Sequence, residues 1–367
     1  MPRMIFCSFN GSLFLKPFYV PFNKNIKLID SGATPGRSRW LWLRWVLGPL
    51  IFLLLVYFIG RQIGRQPNWK DSLASVTAAL TGPLQWRLWL VILLMPVNWG
   101  IEARKWQLAL KPIGGIPYRD AFRAIFTGVT MASFTPNRMG EYLGRLLYVR
   151  EGKRLESIGL TIVCSMAQLM TTLIMGLGGV CYLKWGLDKG KWVNGYFSSG
   201  ILFWLNTLLW IVIVLLICLT IIYFRLSRWL WILRKIPWLE KRLGFIKDLE
   251  NFDATILIKI LFLSFGRYLV FILQYLLVFP VFGVLLSPGQ VWGGVSVVFL
   301  VMAVLPTFTF LTELGLRWGT SVKVLELFSS NTIGIFAASF AIWLINLIVP
   351  ALIGSLLILS IKLFKRK

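Results

Sequence analysis

The chain has 367 residues, of which 57% are hydrophobic and only 14% charged, a composition outside the range of soluble domains. Several apolar runs are long enough to cross a lipid bilayer, so we expect a polytopic membrane protein. The net charge of +25 comes from cations clustered between those runs, a pattern that favours anionic membrane lipids as partners and argues against nucleic acid. Histidine is absent, which excludes imidazole catalysis and His-ligated metal sites, and we expect no cofactor.

The amino-terminal part divides into a tail and two apolar runs. Residues 1–39 mix aromatic residues with prolines and are predicted to be a disordered or membrane-surface tail. Residues 40–59 form the first predicted span, and residues 86–110 form the second, kinked at Pro96. The transmembrane region is therefore expected to begin near residue 40.

The end of the second predicted span carries polar side chains. Asn98 and Glu102 lie four residues apart and share a helix face, and Glu102 can pair with Lys105 or Arg138. Arg104 adds a further charge in the same turn. Because polar and charged groups at membrane depth are usually functional, we take Asn98, Glu102 and Arg104 as second-tier site residues.

The segment 118–150 is too long for one span and is interrupted by a proline. Pro136 lacks an amide hydrogen and restricts the backbone of the preceding residue, so we expect one helix to end near Phe134 and another to begin at about Asn137. Non-helical backbone at membrane depth must be buried in protein or line a wet cavity. We therefore predict a re-entrant hairpin whose tip carries this break.

Three charged residues follow the break closely: Arg138, Glu141 and Arg145. Glu141 precedes Arg145 by four residues, the spacing and order at which an acid and a base pair on one helix face. Such groups either form a ligand site or serve only to neutralise each other at depth. The sequence leaves both interpretations open.

Four further apolar runs complete the predicted spans: residues 158–183, 200–224, 255–279 and 332–364. The segment 225–253 is rich in Lys and Arg and marks the cytoplasmic side of the membrane, as does the basic tail 365–367. Arg267 and Gln274 lie seven residues apart within one span and share a face. They either join a cavity or bond to a neighbouring helix, and we add them to the second tier.

A second proline break lies within residues 292–328. Pro306 is followed after seven residues by Glu313 and after four more by Arg317, so the order of proline, acid and arginine matches the first break. Two proline-broken helices in corresponding positions of two halves point to a central transport site. A chance match is the alternative, because these residue types are common at helix ends.

We predict an all-α integral membrane protein with about six full spans and two re-entrant broken-helix hairpins in inverted repeat. The halves cover residues 40–224 and 254–364, joined by the basic segment 225–253, and both termini are expected in the cytoplasm. Four cations fall on the predicted outer loop and disagree with this topology: Arg61, Arg65, Lys70 and Arg87.

The chemistry of the two breaks predicts an anionic ligand. Arg138, Arg145 and Arg317 offer planar forks of donors that match phosphate oxygens, and the second half-helix can direct free backbone amides at the same point. In a chain so deeply embedded, the phosphate of a phospholipid is the natural candidate. Glu141 and Glu313 either hold these arginines in place or receive an ammonium group. The predicted ligand-binding set is Pro136, Asn137, Arg138, Glu141, Arg145, Pro306, Glu313 and Arg317.

Several of these residues resemble a known family. The run at residues 102–106, the Pro-x-Arg-x-Gly-Glu core at residues 136–141, and Pro306 with Glu313 resemble the transmembrane, flippase-like region of the lysylphosphatidylglycerol synthetase family. The resemblance covers about residues 40–362, and it departs from the family where Phe-Thr-Phe-Leu stands in place of Gly-Gly-x-Gly before the second acid.

The resemblance implies a multi-spanning protein of the bacterial inner membrane that binds lipids or moves them between leaflets. Full-length synthetases carry a soluble aminoacyl-transferase domain after this region. Because the chain ends at Lys367, we expect no such domain and no lysyl transfer.

Three functions fit these features. The leading one is a lipid flippase or lipid-binding transporter for a phospholipid or lipid-linked headgroup, and not an enzyme. The alternatives are a membrane-embedded transferase that acts on a lipid-linked substrate, with Glu141 or Glu313 as base, and a non-catalytic partner subunit. The expected partners are the lipid substrate and anionic membrane lipids, and a homo-oligomer is left open.

Overall fold

The computed structural model describes residues 57, 81–133, 135, 138–188, 199–225, 254–305 and 310–364. Of residues 188, 199–204, 310–314 and 359–364 it describes the backbone alone. Several predictions fall outside these limits: the tail 1–39, the first span 40–59 apart from Tyr57, the basic segment beyond Arg225, the tail 365–367, Pro136, Asn137, Pro306 and the side chain of Glu313.

The regular structure of the described residues is helical, without a strand, which confirms the all-α class. The helices are α1 (Gln85–Ala109), α2 (Tyr118–Ala132), α3 (Gly140–Leu146), α4 (Arg154–Asp188), α5 (Ser199–Phe224), α6 (Ala254–Val281), α7 (Pro288–Val304), α8 (Phe310–Leu325), α9 (Thr332–Trp343) and α10 (Val349–Phe364). A π-helical turn, Leu344–Ile348, joins α9 to α10.

Four helical segments of the described chain are long and apolar enough to cross a membrane: Glu151–Leu187, Leu205–Phe224, Ala254–Val281 and Thr332–Ile358. They coincide with the four spans predicted after residue 150. Helix α1 has nearly the bounds predicted for the second span, but it is not in this set, and its last turns carry Glu102, Arg104 and Lys105. The total number of spans stays a prediction.

The first break is present but longer than the proline alone predicts. Helix α2 ends two residues before the expected Phe134, and α3 begins three residues after the expected Asn137. Arg138 has a left-handed backbone with φ of 57°, which interrupts helical geometry just before α3. The hydroxyl of Thr135 accepts the N–H of Gly140 at 2.6 Å. The first amide of α3 is therefore used within the chain, contrary to the expectation of free amides at this point.

The second break lies at the position predicted from Pro306. Helix α7 ends one residue before Leu305, whose backbone is extended with φ of −87° and ψ of 119°. Helix α8 begins at Phe310. Whether the two broken segments re-enter the membrane stays a prediction.

A tryptophan compensates for a proline in the last span. Pro350 has no N–H, so the carbonyl of Asn346, four residues earlier, cannot accept the usual α-helical hydrogen bond. The indole N–H of Trp99 in α1 donates to that carbonyl at 3.2 Å. The contact satisfies a polar group that lipid cannot satisfy, and it fixes α1 against the π-helical turn.

Helices α2 and α3 pack closely because glycines face each other where they cross. A Cβ on Gly144 would lie 2.6 Å from the Cα of Gly128, and one on Gly140 would lie 2.2 Å from the carbonyl oxygen of Met131. Small residues that let backbones approach are typical of helix contacts in membranes. This contact sets the position of the charged side chains of α3.

Replacing Gly144 by alanine is expected to lower the free energy of unfolding by about 1–3 kcal/mol, because the added methyl group would overlap Gly128. Gly266→Ala in α6 is the matched control, since a Cβ there would meet no heavy atom within 4 Å. Thermal unfolding of the detergent-solubilised protein measures both variants. Equal unfolding temperatures would show that the close contact between α2 and α3 is not required.

Candidate functional site

Glu102 binds three cations that come from three different helices. The residue is 4% exposed. Its Oε2 lies 2.6 Å from Lys105 Nζ and 2.8 Å from Arg267 Nη1. Its Oε1 lies 3.1 Å from Arg145 Nη2. One buried carboxylate therefore links α1, α6 and α3. Of the two partners predicted for Glu102, Lys105 and Arg138, the structure pairs it with Lys105.

Arg145 connects Glu102 to a second glutamate. Its Nη2 donates to Glu141, one turn earlier in α3, as well as to Glu102. Arg145 is 2% exposed, and its Cζ lies 5.7 Å from the ring centroid of Trp106. Glu141 also pairs with Arg138, whose Nε lies 3.8 Å from Oε2. The predicted pair of α3 thus forms as part of a larger ion cluster.

Arg267 begins a chain of hydrogen bonds that leads away from the ion cluster. Its Nε donates to Asn98 Oδ1 at 2.8 Å, and Asn98 Nδ2 donates to Asn346 Oδ1 at 3.3 Å. Asn346 Nδ2 then donates to Gln274 Oε1 at 3.0 Å, and Gln274 donates to the carbonyl of Val91 at 3.0 Å. Arg267 and Gln274 both bond to a neighbouring helix, which is one of the two predicted alternatives. Arg267 also lines a cavity, which is the other.

The ion cluster opens into a cavity of about 410 Å³. Its charged lining consists of four cations and two acids: Lys105, Arg138, Arg267 and Arg317 with Glu102 and Glu141. Much of the remaining wall is aromatic or apolar: Trp99, Leu169, Tyr268, Phe271, Phe299, Met302 and Ala303. A smaller space of about 70 Å³ shares three of the arginines and reaches Asn346.

One face of α4 supplies uncharged polar groups to the same cavity. Ser165, Gln168 and Thr172 lie three and four residues apart, which places them on one side of the helix. Gln168 Oε1 accepts a hydrogen bond from Lys105 Nζ at 3.4 Å. The cavity therefore combines a cationic cluster with a neutral polar stripe.

Comparison with known families identifies the chain. A family model described as lysylphosphatidylglycerol synthase TM region matches residues 45–354, the whole chain apart from its ends. The chain belongs to this family. The resemblance predicted from the Pro-x-Arg-x-Gly-Glu core is confirmed, and membership indicates a membrane protein with a lipid-related function. Comparison with curated proteins and with solved structures gives no match.

In this lysylphosphatidylglycerol synthase TM region, the predicted site residues fall into three groups. Arg138 and Arg317, which follow different breaks, line the same cavity. Arg145, which was predicted to contact the phosphate, is buried between Glu102 and Glu141 and is not among the residues that line the cavity. Arg104 is exposed and bonds to Gln107, so it lies outside the cluster.

Two features of the site were missed by sequence reasoning. Asn346 is a lone amide side chain in an apolar run, four residues before Pro350. Because a proline has no N–H, this spacing indicates that the backbone carbonyl of Asn346 lacks its α-helical donor. The polar stripe of α4 was also present as a spacing of three and four residues inside a predicted span. In both cases the residues were visible, but the decisive contacts, Asn98 and Gln274 with Asn346 and Lys105 with Gln168, join distant parts of the chain.

Replacing Glu102 by glutamine is expected to lower the free energy of unfolding by about 3–5 kcal/mol, because three buried cations lose their shared partner. Arg104→Gln, two residues away on an exposed face, is the control and is expected to change it by less than about 0.5 kcal/mol. Thermal unfolding in detergent compares the two proteins. A Glu102→Gln variant as stable as the control would contradict a structural role for this carboxylate.

Proposed function

We propose that this protein is a lipid flippase or lipid-binding transporter that moves a phospholipid or lipid-linked headgroup between the leaflets of the bacterial inner membrane. The observation that carries the proposal is a single cavity lined by one arginine from beyond each break, Arg138 and Arg317. Guanidinium groups match phosphate oxygens in geometry and charge. Family membership supports a lipid as the source of that phosphate.

Arg267 offers a third guanidinium group to the same ligand, and neighbouring side chains already hold it in place. Its Nε and Nη1 are held by Asn98 and Glu102, and its Cζ lies 4.8 Å from the ring centroid of Trp99. A donor fixed in this way loses little conformational freedom when it binds a ligand. The phosphate of a headgroup would therefore meet an array of donors that is already oriented.

The contacts of Glu102 and Glu141 argue against either of them as the base of a transferase reaction. Glu102 and Glu141 both line the cavity, but each already bonds to guanidinium groups. A general base must be able to take a proton from its substrate, and a carboxylate engaged with arginine is a poor acceptor. The contacts of these two glutamates favour a role in holding the arginines in position over a role as a base.

The proposal includes an orientation in the membrane. The two breaks would enter from opposite faces as re-entrant hairpins, and both termini would lie in the cytoplasm, where the basic segments contact anionic lipids. Such an arrangement puts Arg138 and Arg317 at a common depth, as alternating access to one site requires.

Replacing Arg317 by glutamine is expected to slow lipid translocation at least about tenfold, the effect of one lost charge-assisted hydrogen bond. The measurement uses proteoliposomes that contain a fluorescent phospholipid and an impermeant reductant that bleaches the outer leaflet. Arg138→Gln is expected to behave in the same way, because its side chain lines the cavity from the other break.

Lys259→Gln provides a control for loss of charge. Lys259 is an exposed cation of α6, the helix that carries Arg267, and it does not line the cavity. This variant is expected to translocate lipid at the wild-type rate. Wild-type rates for both arginine variants would refute the assignment of the cavity as the lipid site.

A further inference from the structure

We propose that the π-helical turn Leu344–Ile348 is a hinge at which the last span bends, and that this bend changes the distance between Arg138 and Arg317. Such a motion goes beyond the proposed function and rests on it only where lipid movement is the measurement. Three features of the described residues carry the proposal: the irregular backbone of the turn, the different partners of the two helices that it joins, and the side chains that it places beside the arginines.

The first feature is the backbone of the turn, which lies inside one apolar segment long enough to cross a membrane, Thr332–Ile358. The N–H of Val349 donates to the carbonyl of Leu344, five residues earlier, whereas an α-helix spaces these groups by four. Pro350 cannot donate to the carbonyl of Asn346, which accepts from a side chain of α1 instead. Helices usually bend at π-turns and prolines, because the ladder of backbone hydrogen bonds is already interrupted there.

The second feature begins with α10, the helix after the turn, which packs on the helices of the first break. Thr130 in α2 donates through its hydroxyl group to the carbonyl of Ala351 at 2.7 Å. A Cβ on Gly354 would overlap the carbonyl oxygen of Phe126, so the backbones of α10 and α2 are in direct contact. Because α2 also packs closely on α3, these three helices form one group. Arg138 lies between α2 and α3 and therefore belongs to this group.

Helix α9, before the turn, packs on the helix of the second break. The ring of Phe336 in α9 lies edge-on to that of Trp318 in α8, with 5.5 Å between the ring centroids. Trp318 directly follows Arg317 in the chain. The two parts of one span are thus attached to different breaks, α10 to the segment of Arg138 and α9 to the segment of Arg317. A change of angle at the turn would therefore move the two arginines relative to each other.

The third feature is that the turn itself lies beside these arginines. Asn346 and Leu347 line the space of about 70 Å³ together with Arg138, Arg267 and Arg317. A ligand in that space would contact the turn and both of the groups that it joins. It would favour the bend angle that suits its contacts, because a ligand shifts a conformational equilibrium by its difference in affinity for the two states.

Replacing Pro350 by alanine is expected to stiffen the turn, because it restores the N–H that an α-helix donates to the carbonyl of Asn346. Translocation in the proteoliposome assay should slow about fivefold, the effect of one added backbone hydrogen bond that bending must break. The unfolding temperature should stay the same or rise, since alanine favours a helix more than proline does. A slower protein of undiminished stability distinguishes a stiffened hinge from a damaged fold.

Pro280→Ala is the matched control for loss of a proline. Pro280 also lies inside a spanning helix, α6, but in its last turn, and it lines neither of the two spaces that the arginines share. This variant is expected to translocate lipid at the wild-type rate.

Pairs of spin labels at exposed positions measure the motion without lipid. Labels at Leu143 in α3 and Ile333 in α9 report on the two groups, in a protein whose native cysteines are replaced by alanine. Double electron–electron resonance is expected to give a broad or two-peaked distance distribution with Pro350 present and a single narrower peak for Pro350→Ala. Labels at Leu143 and Leu356 are the control, because both lie in the group of α10 and should give the same distribution in the two proteins.

A second variant decides the test if Pro350→Ala does not fold. Trp99→Phe removes the indole N–H that binds the carbonyl of Asn346 and so frees the turn from α1. The distribution between Leu143 and Ile333 is expected to broaden in this variant. An unchanged distribution would then contradict the hinge.

The outcomes separate the hinge from the proposed function. If Pro350→Ala folds and leaves the distance distribution unchanged, the hinge is refuted, even where translocation slows. Slower translocation by Arg317→Gln would in that case show that the lipid site stands. If the distribution narrows as expected but the wild-type protein moves no lipid, the hinge stands and the proposed function fails.

Discussion

The cluster at Glu102 is the interaction on which the rest of the site depends. A charge inside an apolar bundle is costly unless it is paired and hydrogen-bonded, and here one carboxylate is shared by Lys105, Arg145 and Arg267. The same contacts hold α1, α3 and α6 together. Because one acid cannot neutralise three cations, the arrangement that stabilises the bundle also leaves positive charge beside the cavity. The packing of these three helices and the positive charge of the cavity wall therefore have a common electrostatic origin.

A chain of hydrogen bonds between amide side chains connects this cluster to the helix irregularity at Pro350. Pro350 deprives the carbonyl of Asn346 of its α-helical donor, and Trp99 in α1 donates to that carbonyl instead. The side chain of Asn346 then joins Gln274 to Asn98, which orients Arg267. A backbone irregularity in the last span is in this way connected to a guanidinium at the cavity. Irregular backbone is tolerated there because protein groups satisfy it.

Local chemistry made much of the fold predictable. The lengths of the apolar runs predicted the helices after residue 150, and Pro136 predicted a break between α2 and α3. The length of that break was not predictable, because it depends on the left-handed backbone of Arg138, which L-residues rarely adopt. The spacing of Glu141 and Arg145 predicted a pair, but not the third partner, Glu102, which lies on another helix.

The sequence by itself determined the membrane class, the helices, the breaks and the family, because hydrophobic run length, proline stereochemistry and motif spacing are properties of neighbouring residues. Only the tertiary structure decided which cations line the cavity. It placed Arg138 and Arg317 on one cavity, buried Arg145 behind two glutamates and turned Arg104 away. These outcomes depend on which helices pack together, a property of distant residues that periodicity along the chain does not encode.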